Sequence, residues 1–337
     1  MELALYAPGL GYYARDNAKF GNLPSGVRGL GSDFVTAPEM TPFFGRALAA
    51  QVAQALQVTQ TREVWEFGAG SGALAAQLLR ALADQLDCYT IVDVSGSLRE
   101  RQREVLGVYG AKVRWVDELP ATLRAVVVGN EVLDAMPVTL LVRKSGVWHE
   151  RGVAAGAGPT LAWEDRPSDL RAPVEIAGQH DYLTELHPVA EGFVRTLADH
   201  LAQGAVFLID YGFPAREYYH AQRATGTLMC HRAHRMDDNP LADVGHKDIT
   251  AHVDFTGVAL AAQEGGLGVL GYTTQARFLM NCGLLSLLEG ATVQQRVMAQ
   301  KLIMEHEMGE LFKVIGFFKG APWDAVGFSL GDRTHTL

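Results

Sequence analysis

Apolar runs rich in β-branched residues recur along this chain at 63–67, 89–94, 112–116, 125–128, 205–210, 267–273 and 313–319. Stretches such as Val126-Val127-Val128 and Val206-Phe207-Leu208-Ile209 have no polar face. Strands buried on both sides of a mainly parallel sheet have that character. Between them, apolar residues fall at helical spacing over 71–85 (Leu74, Leu78, Leu79, Leu82), 98–107 and 190–203. The alternation predicts an α/β fold with a seven-stranded, mostly parallel, doubly wound sheet.

Three stretches break the alternation. Residues 1–44 are rich in Gly, Pro and Tyr. Within 139–164, Leu140-Leu141-Val142-Arg143 and Gly146-Val147-Trp148-His149-Glu150 read as antiparallel strands about a turn. Residues 212–262 are polar and rich in His, Arg and Asp; a loop that long reads as a functional cap or a disordered linker, and its regular Asp, Thr and aromatic content favours a cap. The expected organisation is a core of 45–138, 186–211 and 263–320, an added α+β cap of 1–44, 139–185 and 212–262, and a C-terminal tail of 321–337.

Composition narrows the function classes. With 337 residues, 48% of them hydrophobic, the chain has room for one large core with insertions. Its net charge of −9 argues against tracking a nucleic-acid backbone, and Arg99, Arg101 and Arg103 alternate with acids as on a solvated helix face. No apolar run is long enough to predict a membrane span, and the first residues lack a signal-peptide pattern. Cys88, Cys230 and Cys282 are widely spaced, so no disulfide framework is expected and a cytoplasmic location is. Cys230-His231-Arg232-Ala233-His234 lacks a second ligand pair, so no metal site is expected.

The chemistry concentrates after the first strand, at Val64-Trp65-Glu66-Phe67-Gly68-Ala69-Gly70-Ser71-Gly72-Ala73-Leu74. Glycines at 68, 70 and 72 allow a sharp turn close to a ligand, and the following helix offers free N–H groups. The spacing also satisfies the looser dinucleotide pattern. Glu66 separates the readings: a carboxylate there repels a pyrophosphate but attracts the sulfonium and ammonium of S-adenosylmethionine (SAM). Asp93, ending the second strand, suits the ribose hydroxyls of either cofactor. Asp117 and Glu118, after the third, are placed either to meet an adenine amino group or to form a solvated turn.

The fourth strand runs into Asn130-Glu131-Val132-Leu133-Asp134-Ala135-Met136-Pro137. Methyl transfer needs an aligned nucleophile and a destination for its proton, which Asn130, Glu131 and Asp134 can supply. Asn130 and Asp134 equally suit turn and cap bonds, whereas nothing local calls for an acid at 131. Glu131-Val132-Leu133 stands where DNA and small-amine N-methyltransferases carry two prolines and an aromatic, so a flipped base has no stacking platform.

Together these residues resemble the MidA-like family of SAM-dependent methyltransferases. The resemblance runs through Tyr6-Ala7-Pro8-Gly9-Leu10-Gly11-Tyr12-Tyr13, Gly31-Ser32-Asp33-Phe34-Val35-Thr36-Ala37-Pro38-Glu39, Glu66 to Gly72 and Val92-Asp93-Val94-Ser95. It continues through residues 130–137, Ile209-Asp210-Tyr211-Gly212, Gly226-Thr227-Leu228 and residues 248–255. It implies a Rossmann-like class I methyltransferase that converts SAM to S-adenosylhomocysteine (SAH). Glu66, Gly68, Gly70, Gly72, Asp93 and Ser95 would hold the cofactor, with Asp33, Thr36 and Glu39 folded over its methionine end. Mitochondrial members act on an arginine of a respiratory complex I subunit, which implies a protein acceptor here and makes Glu131 the first-choice carboxylate to localise charge and accept a proton. Asp93 stands where many members carry Glu; the start close to the opening motif leads one to expect the N-terminal helix of many relatives to be missing, and the lack of a targeting-peptide pattern to expect a bacterial-type member. The alternatives are a SAM-binding assembly factor without catalysis, a methyltransferase for a small amine or carboxylate, and a nicotinamide oxidoreductase.

Overall fold

The computed structural model describes residues 1–15, 36–158, 160–232 and 235–337. In chain order its strands are β1 (Glu63–Phe67), β2 (Cys88–Val92), β3 (Val113–Val116), β4 (Leu123–Asn130), β5 (Thr139–Lys144), β6 (Val147–Ala155), β7 (Leu161–Pro167) and β8 (Tyr182–Leu186). They continue as β9 (Leu201–Phe213), β10 (Met229–Arg232), β11 (Arg235–Asp237), β12 (Asp248–Thr250), β13 (Val253–Asp254), β14 (Gly268–Thr274) and β15 (Phe312–Lys319).

The apolar runs of the sequence form the central sheet, ordered β14-β15-β9-β4-β1-β2-β3. From β3 to β9 every pairing is parallel, and only β15 runs against its neighbours. The short β13 adds a parallel pairing to the end of β9. This is the mostly parallel, doubly wound α/β arrangement the sequence predicts. Because β1 sits between β2 and β4, the connections leave it in opposite directions, and a crevice opens at the strands' carboxyl ends. Glycines 68–72, Asp93 and residues 130–134 all follow those ends.

Side-chain alternation explains the two layers. Val126 and Val128 of β4 pack with Val64, Phe207 and the helices Phe43–Thr59 and Ala73–Leu82. Val127 faces the other way, with Trp65, Val206, Leu208 and the helices Pro188–His200 and Phe255–Glu264. Burying each such side chain contributes roughly 1.5–3 kcal/mol. The helix Phe43–Thr59 has alanines among its buried positions, so its apolar surface is broad and lacks a sharp stripe. The helix Phe255–Glu264 starts where Asp254 accepts hydrogen bonds from the N–H groups of Thr256 (3.0 Å) and Gly257 (3.2 Å). Beyond β15, Phe328 packs against Phe278, and Asp332 accepts the Tyr272 N–H at 2.9 Å.

Two further sheets stand off the core. Residues 139–186 form an antiparallel sheet ordered β7-β6-β5-β8, which includes the strands expected within 139–164. The second is the antiparallel set β11-β10-β12. Among the described residues, no helix is long and apolar enough to cross a membrane.

Candidate active site

At the end of β1 the chain turns through Gly68, Gly70 and Gly72 with φ of +63°, +54° and +83°. These are conformations that L side chains adopt only with strain. At Gly68 a Cβ would also come within 3.2 Å of Val132, so the turn after β1 lies close to the one after β4. Gly72 then starts the helix Ala73–Leu82.

Beyond this turn lies a cavity of about 890 Å³. Thr36, Glu66, Gly68, Gly70, Asp93, Asn130, Glu131 and Asp134 all line it. Its described lining holds six carboxylic acids (Glu2, Glu66, Asp93, Glu131, Asp134 and Asp248) and no lysine or arginine. Such a surface attracts cations and repels phosphates.

The acids from β1 and β2 are held individually. Glu66 is buried, with Oε2 accepting a 2.7 Å hydrogen bond from the Tyr89 hydroxyl. Burial, helped by the nearby Asp93, pushes its pKa up to about 8 against the pull of that bond. Asp93 accepts the Ser95 N–H at Oδ1 (2.9 Å) and the Gln102 amide at Oδ2 (2.8 Å). The same Gln102 amide reaches the Gly70 carbonyl at 2.9 Å, while its oxygen accepts from Trp115 Nε1 at 2.9 Å. Gln102 thereby ties the glycine turn to the ribose-side carboxylate.

The turn after β4 is built around a different residue, Asp210 of β9. Its Oδ2 accepts the N–H groups of Val132 (3.1 Å), Leu133 (2.9 Å) and Asp134 (3.2 Å), and its Oδ1 accepts that of Tyr211 (2.9 Å). Successive N–H groups converging on one acceptor make a nest suited to negative charge. Burial and the neighbouring Asp134 and Glu131 push the Asp210 pKa up against the pull of the Tyr211 and Asp134 N–H groups. Glu131 adopts a positive φ of 55° to enter the turn, and its N–H donates to the Ile209 carbonyl at 2.8 Å.

Tyr211 donates to Asp134 Oδ2 at 2.5 Å, and Asn130 Nδ2 donates to Glu131 Oε1 at 2.9 Å. Burial raises Glu131 to about 8, with Asp134 and Glu39 adding to the rise; burial also raises Asp134. Asn130 Oδ1, Asp134 Oδ1 and Glu39 Oε2 are buried acceptors with no hydrogen-bond partner among the described residues. Buried polar atoms are normally satisfied, so these are sites where a donor is wanted.

The other expected residues are placed as follows. Gly72 and Ser95 lie outside the cavity lining, and Ser95 is 1% exposed beneath it at the start of the helix Gly96–Leu106. Glu39 is also off the lining, its pKa raised by burial against a hydrogen bond from Ser71. Asp117 and Glu118 do not line the cavity; Asp117 is 82% exposed and paired with Arg99 at 2.6 Å. Asp33 lies outside the described residues. Tyr89, Gln102 and Asp210 hold the site together without having been expected in it. Asp210 lay in a motif, whereas Tyr89 read as strand core and Gln102 as part of a charged helix face.

The residues present fit SAM: glycine backbone free to approach a ligand, and acids throughout a lining with no lysine or arginine among its described residues. Comparison with known proteins agrees. The model of a family of S-adenosyl-L-methionine-dependent methyltransferases matches residues 47–273. A Burkholderia thailandensis protein bound to S-adenosyl-homocysteine is 49% identical, with a TM-score of 0.94 over 100% of this chain and 90% of that one. A native structure of a Burkholderia thailandensis protein gives 48% identity and a TM-score of 0.89 over the same shares. Among curated relatives, the mitochondrial protein arginine methyltransferase NDUFAF7 homolog of Caenorhabditis elegans is 25% identical over 94% of this chain and 81% of its own length. Human NDUFAF7, also named a protein arginine methyltransferase, is 27% identical over 84% and 69%. With the family model covering most of the chain and the fold superposing on the SAH-bound structure at a TM-score of 0.94, this protein belongs to the SAM-dependent methyltransferases, in their class I, Rossmann-like form.

Proposed function

We propose that the protein methylates an arginine side chain of another protein. The observation that carries this reading is the cavity lining, with six acids and no lysine or arginine among its described residues. The names of the curated relatives point the same way. When bound, SAM supplies a methyl group carried on a positively charged sulfur. On this reading Thr36, Glu66, Gly68, Gly70 and Asp93 line its place, and Asp93 accepts the ribose hydroxyls.

An arginine guanidinium is always protonated, and its lone pairs are delocalised. Carboxylates that draw the positive charge onto two nitrogens leave the third better able to attack. Glu131 and Asp134 hold that place, and the free Oδ1 atoms of Asn130 and Asp134 accept further N–H bonds. Its raised pKa of about 8 keeps Glu131 largely proton-bound at neutral pH until a cation ionises it, so cation binding releases a proton there.

The test is transfer of label from methyl-tritiated SAM to proteins of a substrate-depleted host extract, followed by amino-acid analysis. On the family resemblance, a complex I subunit is the first individual protein to try. Label recovered as methylarginine is the expected result. Label in another residue, or only in small molecules, would overturn the arginine acceptor.

A further inference from the structure

Two sequence motifs, Gly226-Thr227-Leu228 and residues 248–255, converge in the fold on one side chain that the site described above leaves without a role. His252 lies between β12 and β13 and lines the cavity. Its ring sits edge-on to Tyr211, centroids 5.3 Å apart at 82°, and against Phe213 at 5.4 Å. Tyr211 is the donor to Asp134, so the imidazole packs directly on the group that orients a proposed acceptor-side acid.

The backbone of His252 is fixed by a buried polar scaffold. Its N–H donates to Thr227 Oγ1 at 3.0 Å. Thr227 is held by Glu185, which is 0% exposed. Glu185 Oε1 accepts the N–H groups of Thr227 (2.8 Å) and Leu228 (3.2 Å), and Oε2 accepts the hydroxyls of Tyr218 (2.8 Å) and Thr227 (3.2 Å). Gly226 turns at φ +73°, where a Cβ would stand 2.5 Å from Glu185 Oε1. A fully bonded internal carboxylate thus holds the loop that holds the histidine.

The imidazole itself is not satisfied. Nδ1 is sealed in the protein with no hydrogen-bond partner among the described residues, which leaves Nε2 as the ring nitrogen able to meet the cavity. A histidine serving only as packing would ordinarily bond at least one nitrogen to the protein. Burial, reinforced by Arg223 and Lys313, lowers its pKa to about 4, and the adjacent His187 is likewise lowered to about 4. The ring is therefore neutral at physiological pH, with a lone pair available.

We propose that His252 Nε2 receives the proton released when the acceptor nitrogen is methylated, a step that rests on the arginine reading above. The nitrogen lone pair forms the bond to the methyl carbon, and the carbon–sulfur pair returns to sulfur, which becomes a neutral thioether. One N–H proton then passes to Nε2, and the imidazolium passes it on to water. A weak base suffices, because a guanidinium nitrogen that has given its lone pair to carbon is far more acidic than before. Glu131 and Asp134 keep the task of localising charge, and His252 takes the proton.

The test uses the full-length protein, methyl-tritiated SAM and host-extract protein, with SAH affinity measured in parallel. His252→Asn should bind SAH within threefold of the parent while methylarginine formation falls about 100-fold, the lower end for a lost general base. His252→Ala should regain activity in proportion to added imidazole, with SAH affinity unmoved. In the parent SAH complex, N-ethylguanidinium should shift the ring ¹⁵N resonances of His252, a readout independent of turnover and of either variant's folding. Methylarginine formation by His252→Asn within threefold of the parent, no imidazole rescue, or unmoved ring resonances would each overturn the role of His252 while leaving arginine methylation intact. No methylarginine from the parent would instead remove the arginine reading, and this proposal with it.

Discussion

The two walls of the crevice are built differently. On the β1–β2 side, the glycine turn, Glu66 and Asp93 lie in short local stretches at the ends of adjacent strands, cross-linked by Tyr89 and Gln102. On the β4–β9 side, residues 131–134 owe their conformation to Asp210, which is distant in sequence, and Asp134 owes its orientation to Tyr211. A wall that binds a constant cofactor can be written in consecutive residues. A wall that handles an acceptor is assembled from several loops, and its acids depend on partners the local sequence does not reveal.

The contrast can be broken first at Asp210. Asp210→Ala leaves the N–H groups of Val132, Leu133 and Asp134 without their acceptor, at a cost of about 1–3 kcal/mol for each group left unsatisfied. Chemical denaturation should show a loss of several kcal/mol, and among molecules still folded the methyl-transfer rate should fall more than SAH affinity. Equal losses in both would mean the two walls are not separable.

Gln102→Leu probes the other wall. Removing the amide that spans Gly70 and Asp93 should weaken SAH binding about tenfold by calorimetry, the size of one charge-assisted hydrogen bond. Methylation at saturating SAM should change little.

A smaller effect is expected in pH-dependent stability. Glu66 and Glu131, both raised to about 8, bind more protons folded than unfolded from the ordinary carboxyl range up to that value, so stability falls as pH rises through this window. His187 and His252, lowered to about 4, act oppositely, but only below the ordinary histidine value near 6.5. Between roughly pH 6.5 and 8 the carboxyls act without that opposition. The melting temperature of the ligand-free protein should therefore drop across that interval. Glu66→Gln should flatten the drop, since an amide still accepts the Tyr89 hydroxyl without carrying charge.

The smallest effect belongs to Asp117. It is exposed and bound to Arg99, so Asp117→Ala should leave SAH affinity within twofold. A larger loss would return it to the cofactor wall, where its position after the third strand had suggested it.

These residues also show what the sequence could reveal. Strand runs, the glycine spacing and the acids at 66 and 93 follow from local pattern, and all of them meet at the crevice. The helix Phe43–Thr59 escaped because alanines blur its stripe. Gln102 escaped because a polar residue among charges looks solvated until Asp93 and Trp115 are brought to it. Asp210 and His252 stood in motifs, but their contacts with residues 132–134, Tyr211 and Thr227 exist only once β9, β12 and β13 are in place.

The most direct measurement compares Glu131→Gln with the parent for SAH affinity and for methylarginine formation from labelled SAM. Glutamine keeps the shape and the Asn130 contact but cannot localise a guanidinium charge. The account predicts SAH affinity within threefold and a rate at least about 100-fold lower, the scale expected when a carboxylate acting in the transition state is lost. An undiminished rate would contradict the claim that this acid-lined crevice works by holding the charge of its acceptor.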